Sequence, residues 1–164
     1  MMRCALSRGL TLIETVASLA IISVLGLAAL RALGAAALSR ALAEDRARAA
    51  TLAHDLLEEI LAKPYGLPPA VAPTDPTRLA FDDIGDYHGW SASPPVAPDG
   101  ATLAPAPWRR EATVQPVQTS DPAALQAGSR LAVITVRIFK GERLMETRTA
   151  MRSAAWDVAT GAAP

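Results

Sequence analysis

The sequence predicts an α+β fold in which one long N-terminal helix packs on a small antiparallel sheet. Three observations lead to this prediction. No proline interrupts the chain from Leu10 to Lys63, whereas all but the last of the 13 prolines lie between Pro64 and Pro122. The stretch Ser129–Lys140 alternates apolar and polar residues, as a half-buried strand does.

Composition divides the chain into segments of different character. Lysine plus arginine and aspartate plus glutamate both number 16, so no nucleic-acid partner is expected. The single cysteine, Cys4, lies in the basic N-terminal stretch and offers no disulfide framework. The predicted organisation is a leader at 1–9, a transmembrane helix at 10–30, an amphipathic continuation at 31–63, proline-rich loops with short strands at 64–128, a β-hairpin at 129–152 and a frayed tail at 153–164.

The segment from Leu10 to Leu30 is apolar, and its only charged residue is Glu14. At about 1.5 Å per residue it is about 30 Å long as a helix, which matches the hydrocarbon core of a bilayer. Arg3 and Arg8 precede it, so the positive-inside rule places the N-terminus in the cytoplasm. We therefore predict a single membrane-spanning helix that leaves the rest of the chain on the side away from the cytoplasm.

Three interpretations of this segment compete. A plain signal anchor leaves Glu14 without a role, and a secretory signal peptide cut near Ala35-Ala36-Ala37 carries an unfavourable acid in its apolar region. The favoured one rests on Gly9-Leu10-Thr11-Leu12-Ile13-Glu14. This stretch resembles the prepilin processing motif, although Leu10 stands where phenylalanine is common.

The resemblance to type IV prepilins and pseudopilins implies a single-pass inner-membrane protein with a periplasmic C-terminal domain, and it implies several partners and a modification. A prepilin peptidase would cut after Gly9 and N-methylate Leu10. Other pseudopilins or pilins, an inner-membrane assembly platform and its ATPase would then build the fibre. The resemblance also implies that Glu14 pairs with the N-terminal amine of a neighbouring subunit, because an unpaired acid is costly in a bilayer.

The second half of the long helix is amphipathic. Leu38 and Leu42 are four residues apart, and so are Leu52, Leu56 and Ile60. This leucine stripe is expected to dock on the chain's own sheet. The adjacent acids Glu58 and Glu59 are interpreted as a solvated face, and Pro64 is expected to end the helix.

An acidic loop follows in the proline-rich region. Asp82, Asp83 and Asp86 lie close together in the sequence, and oxygen-rich loops can hold calcium. The spacing matches no EF-hand, and the three acids beside glycines also describe an ordinary Asx-turn loop. No metal or other cofactor is therefore predicted, and calcium is the less favoured alternative. Four large residues spaced by three are expected to anchor this loop on the domain: Phe81, Ile84, Tyr87 and Trp90.

The C-terminal part is predicted to be sheet. Trp108–Val117 alternates in part and ends near Pro116, and Ser129–Lys140 places Ala132, Ile134, Val136 and Ile138 on one face. A turn at Lys140-Gly141-Glu142 leads into a second strand.

These features favour a minor pseudopilin of type II secretion. A minor type IV pilin or a DNA-uptake pseudopilin is the alternative, and a membrane-tethered periplasmic binding module is the second. No nucleophile elbow or phosphate-binding loop occurs in the sequence, so no enzymatic activity is expected.

Overall fold

The computed structural model describes residues 11–67 and 78–161, and the α+β architecture predicted from the sequence is confirmed. A single 3₁₀ turn, Gly85–Tyr87, precedes the sheet. The helices and strands are α1 (Leu12–Leu61), β1 (Ser91–Ala92), β2 (Trp108–Pro116), β3 (Leu131–Lys140), β4 (Arg143–Ser153) and α2 (Ala154–Thr160).

The chain forms two compact units, and the boundary falls within α1, between Glu44 and Asp45. In the first unit the described side chains of α1 are exposed. This part of α1 is long and apolar enough to cross a membrane. The structure therefore agrees with the predicted span in length and composition.

The second unit contains the hydrophobic core. Helix α1 contributes six buried residues to it, and these share one face because they recur at intervals of three and four. They are Ala49, Leu52, Ala53, Leu56, Leu57 and Ile60.

The predicted leucine stripe is correct only in its second part. Leu38 is 65% exposed and Leu42 is 37% exposed, whereas Leu52 and Leu56 are buried. Leu38 and Leu42 precede Asp45 and so belong to the unit that contains no sheet. The prediction that these two leucines dock on the sheet is wrong for that reason.

The sheet is antiparallel throughout, in the order β1-β2-β3-β4. The predicted core face of β3 is confirmed, because Ala132, Ile134, Val136 and Ile138 are fully buried. The predicted hairpin is also confirmed. Gly141, with φ +60°, begins its two-residue turn, where a positive φ favours glycine.

The chain after the hairpin is more ordered than the sequence predicts. The tail was expected to fray, but Ala154–Thr160 forms α2, which ends at Gly161 with φ +70°. Alanine is the strongest helix former, and glycine is the usual residue just beyond a helix end. The prediction of a frayed tail is therefore wrong over these residues.

Candidate functional site

Two of the predicted processing residues, Gly9 and Leu10, lie outside the described residues. Glu14 is described and lies in the first turn of α1. Its Oε2 accepts a long hydrogen bond of 3.4 Å from the backbone N–H of Thr11. This geometry leaves the carboxylate exposed and only weakly engaged.

The surroundings of Glu14 are apolar and open. Leu12 is 85% exposed and Ile13 is 78% exposed, and exposed large aliphatic residues continue along the helix. A carboxylate in such a band is costly in lipid unless a cation or a strong donor reaches it. The arrangement is chemically suited to pairing with a positive group supplied from outside this helix.

The three aspartates of the acidic loop come together as the sequence suggested. Each offers a carboxylate oxygen, and these oxygens lie within 4.8 Å of one another. Asp83 Oδ1 accepts from the backbone N–H of Gly85 at 2.6 Å and of Asp86 at 3.3 Å. Asp86 Oδ2 in turn accepts from the N–H of Asp82 at 3.0 Å. The carboxylates of Asp83 and Asp86 therefore bind the backbone of their own turn, in agreement with the Asx-turn interpretation.

The electrostatics of this turn are unfavourable to full ionisation. Partial burial raises the pKa of Asp83, and the charges of Asp86 and Asp82 raise it further. Hydrogen bonds from the backbone of Gly85 and Asp86 act in the opposite direction.

The predicted anchoring of the loop is confirmed. Ile84 and Tyr87 are 0% exposed, Trp90 is 1% exposed and Phe81 is 7% exposed. The rings of Phe81 and Tyr87 meet edge to face with centroids 4.9 Å apart. The acidic turn is thus fixed to the core by large side chains at regular spacing.

A buried charge network beside these anchors was missed by the sequence analysis. Arg78 donates to Glu59 twice, from Nε to Oε1 at 2.6 Å and from Nη2 to Oε2 at 3.0 Å. The hydroxyl of Tyr87 donates to the same Oε1 at 2.8 Å. The prediction of a solvated acid pair is therefore correct for exposed Glu58 and wrong for Glu59, whose partners come from a distant loop.

A second buried arginine adjoins the network. Arg110 is 1% exposed and occupies a core-facing position of β2, between buried Trp108 and Ala112. Burial and, to a smaller extent, the charge of Arg78 lower the pKa of Arg110 to about 10, although the charges of Glu59 and Asp55 act in the opposite direction. Alternation predicts an apolar residue at such a position, so the pattern gave no signal for a charge there.

The end of α1 is joined to the C-terminal helix by another buried pair. Arg152 Nη2 donates to Asp157 Oδ1 at 2.5 Å and to the carbonyl of Lys63 at 3.2 Å. The backbone N–H of Tyr65 donates to Asp157 Oδ2 at 2.5 Å. Asp157 is 5% exposed, so a single carboxylate holds α2 against the exit from α1.

Comparison with protein-family models, with curated proteins and with solved structures finds no match for this chain. The chain has a long, N-terminally apolar helix packed on a small antiparallel sheet, and this architecture is compatible with a pilin-like fold.

Proposed function

We propose that this chain is a membrane-anchored minor pseudopilin subunit that assembles into a pilus-like fibre for type II protein secretion. In this proposal a prepilin peptidase removes residues 1–9 and methylates Leu10. The subunit then stands in the inner membrane through the N-terminal part of α1, with the sheet in the periplasm. A platform protein and its ATPase drive extraction into the fibre.

One observation carries the proposal. Glu14 is an exposed carboxylate in the first turn of a helix whose neighbouring side chains are exposed and aliphatic. A simple membrane anchor gains nothing from this acid, and insertion is less favourable because of it. An assembling subunit does gain from it, because the amine released at Leu10 of another copy would neutralise it and fix the axial register.

The boundary between the two units within α1 also supports the proposal. The second unit begins at Asp45, and the part of α1 before Asp45 contributes no buried residue to its core. Its exposed aliphatic side chains are therefore available first to lipid and then to the corresponding helices of other subunits. Helix contacts in the fibre would replace lipid contacts without unfolding the second unit.

The first test is mass spectrometry of the N-terminus of the protein isolated from cells. We expect a chain that starts at an N-methylated Leu10. In the Gly9→Val variant we expect the full-length precursor. A start at Leu38, or an unprocessed wild-type chain, would contradict the proposal.

The second test is the Glu14→Ala variant. We expect normal membrane insertion, because the substitution removes a polar group from the span, together with loss of fibre incorporation. Incorporation is measured by crosslinking and by the recovery of subunits in sheared fibres. Ser23→Ala is the matched control, since Ser23 lies on the same helix and its hydroxyl donates to the carbonyl of Leu19, one turn earlier, at 2.7 Å. If Glu14→Ala and the control enter the fibre equally well, Glu14 does not set the axial register.

The same residues fit a minor type IV pilin or a DNA-uptake pseudopilin. Neighbouring genes for a secretin or for a retraction motor distinguish these systems. A membrane-tethered binding module is distinguished by the Glu14→Ala result, because an anchor is insensitive to that change.

A further inference from the structure

The loop between β1 and β2 has a compact tip, formed by residues 95–103. Within the tip, the N–H of Ala97 donates to the carbonyl of Ala101 at 2.7 Å, and the N–H of Leu103 donates to that of Pro95 at 2.8 Å. Val96 and Thr102 form an isolated antiparallel bridge. The tip is therefore folded by its own backbone hydrogen bonds, and one of its side chains, Val96, packs against the hydrophobic core.

Two arginines hold the tip. The backbone N–H of Arg78 donates to the carbonyl of Pro98 at 3.3 Å, and its Nη2 donates to that of Val96 at 3.0 Å. Arg110 Nη2 donates to the same carbonyl of Val96. In the described parts of the chain, the hydrogen bonds that join the tip to other segments all come from these two residues.

Both guanidinium groups are buried and lie beside Trp90. Arg78 Cζ is 4.3 Å from the centroid of the indole ring, and Arg110 Cζ is 5.8 Å from it. Among the described residues, the only carboxylate hydrogen-bonded to either guanidinium is that of Glu59. Glu59 therefore hydrogen-bonds one of the two buried cations, and it acts on the other, Arg110, only through its charge, as Asp55 does.

We propose that Glu59 is a positioning residue that fixes the β1–β2 loop tip from helix α1, with Arg78 and Arg110 as the transmitting groups. The carboxylate orients Arg78 by two hydrogen bonds, and Arg78 and Arg110 together hold the carbonyl of Val96. Without the carboxylate, two like charges would remain buried near each other. The arginines would then turn toward water and release the tip, while the sheet keeps its aliphatic core.

This proposal does not depend on membrane assembly, and its test is local. The measurement is amide hydrogen exchange of the full-length protein in detergent micelles, read at Ala97 and Leu103 in the tip and at Ile134 in the core. In Glu59→Gln we expect tip exchange to rise by about tenfold or more, since a hydrogen-bonded charge partner is lost. We expect Ile134 to exchange at the wild-type rate.

Glu58→Gln is the matched control, because Glu58 is the adjacent acid on α1 and its side chain is 62% exposed. It should leave tip exchange unchanged. If Glu59→Gln and Glu58→Gln give the same tip exchange, the positioning role is overturned.

A second variant covers the case in which Glu59→Gln unfolds the whole unit. Arg110→Met removes one donor to Val96 together with a buried charge that has no carboxylate hydrogen bond of its own. We expect faster tip exchange with an unfolding midpoint at or above that of the wild type. Unchanged tip exchange in Arg110→Met would overturn the proposal.

Discussion

At the residue scale, Asp83 combines two opposite effects in one side chain. Its carboxylate accepts two backbone hydrogen bonds that hold the turn, and it also lies beside two other carboxylates. Its pKa is raised above the ordinary aspartate value of 3.8, so burial and like charge outweigh the hydrogen bonds. Asp83 therefore stabilises the turn as a hydrogen-bond acceptor, whereas its negative charge destabilises the folded state.

This balance gives a pH-dependent expectation for Asp83→Asn. The pKa of Asp83 is 3.8 in the unfolded chain and higher in the folded state. The free energy of unfolding therefore falls as the pH rises from 3.8 through the folded-state pKa, because ionisation of Asp83 is less favourable in the folded protein. Asparagine keeps the Oδ1 acceptor and carries no charge. At pH 7 we expect Asp83→Asn to be equal to the wild type or more stable by less than about 1 kcal/mol, since the site is largely solvated.

Urea unfolding at pH 7 and near pH 3, followed by the fluorescence of the buried tryptophans, checks this expectation. The advantage of Asp83→Asn should vanish at the lower pH, where the wild-type side chain is protonated. Asp99→Asn is the control, because Asp99 accepts from the N–H of Ala101 at 2.9 Å in an exposed turn of the same kind. A larger destabilisation of Asp83→Asn at pH 7 than at pH 3 would contradict the argument.

The closeness of Asp83 to the chain that leaves α1 explains why position 66 is a glycine. A Cβ atom placed on Gly66 would lie closer than 3.0 Å to the carboxyl group of Asp83. The chain leaving α1 therefore passes close to the acidic turn, and a side chain at position 66 would displace the carboxyl group of Asp83. The sequence alone did not single out this position, because its partner is distant along the chain.

At the element scale, α1 has two surfaces with different requirements. Leu56 is fully buried against the sheet, whereas Leu38, on the same helix, is 65% exposed. The same residue type therefore occurs in a packed and an unpacked setting within one helix. This pair separates the effect of the side chain from the effect of its environment.

We expect Leu56→Ala to lower the free energy of unfolding of the sheet unit by about 2–5 kcal/mol, because it leaves a cavity in the core. Leu38→Ala should change the same quantity by less than about 0.5 kcal/mol. Chemical denaturation of both variants in the same detergent provides the measurement. Similar losses in the two variants would mean that Leu38 is packed against the unit.

Most elements were predictable from local pattern, and the exceptions have physical causes. Large residues spaced by three in Phe81–Trp90 predicted one buried face, and so did the alternation in Ser129–Lys140. Both faces are buried, so both predictions are confirmed. Arg110 breaks the alternation of β2, and its partner segments are far away in sequence. A pattern of period two carries no information about such a tertiary charge network.

At the scale of the whole molecule, distant parts of the chain are joined by a few buried polar contacts. Asp157 accepts from the N–H of Tyr65, and the hydroxyl of Tyr65 donates to the carbonyl of Ser129 at 2.5 Å. At the other end of the sheet, Lys140 Nζ lies 2.5 Å from Asp45 Oδ2. These contacts fix α2 and the hairpin relative to the sheet-packed part of α1.

We expect Asp157→Ala to lower the free energy of unfolding by about 3–5 kcal/mol, because it leaves the nearly buried guanidinium of Arg152 unpaired. In an Arg152→Met background the same substitution should cost clearly less. A double-mutant cycle from denaturation midpoints measures the difference. Additive effects of the two substitutions would show that the pair is not coupled.

Among the candidate functional residues, one could be found from the sequence pattern and one only from the fold. Glu14 could be selected from the sequence because a lone acid in an apolar run is conspicuous, and the structure places it at the exposed start of α1. Glu59 could not be selected, because an acid beside another acid on an amphipathic helix is usually solvated. Only the fold brings Arg78 and Tyr87 to it.

The position at which α1 enters the core has a practical consequence for preparing the protein. The buried residues of α1 all lie at Ala49 or later, and the Asp45–Lys140 ion pair marks the start of the sheet unit. A recombinant fragment that begins a few residues before Asp45 retains every one of these interactions and omits the exposed aliphatic part of α1. Such a fragment should be soluble without surfactant and suitable for crystallisation and high-resolution NMR.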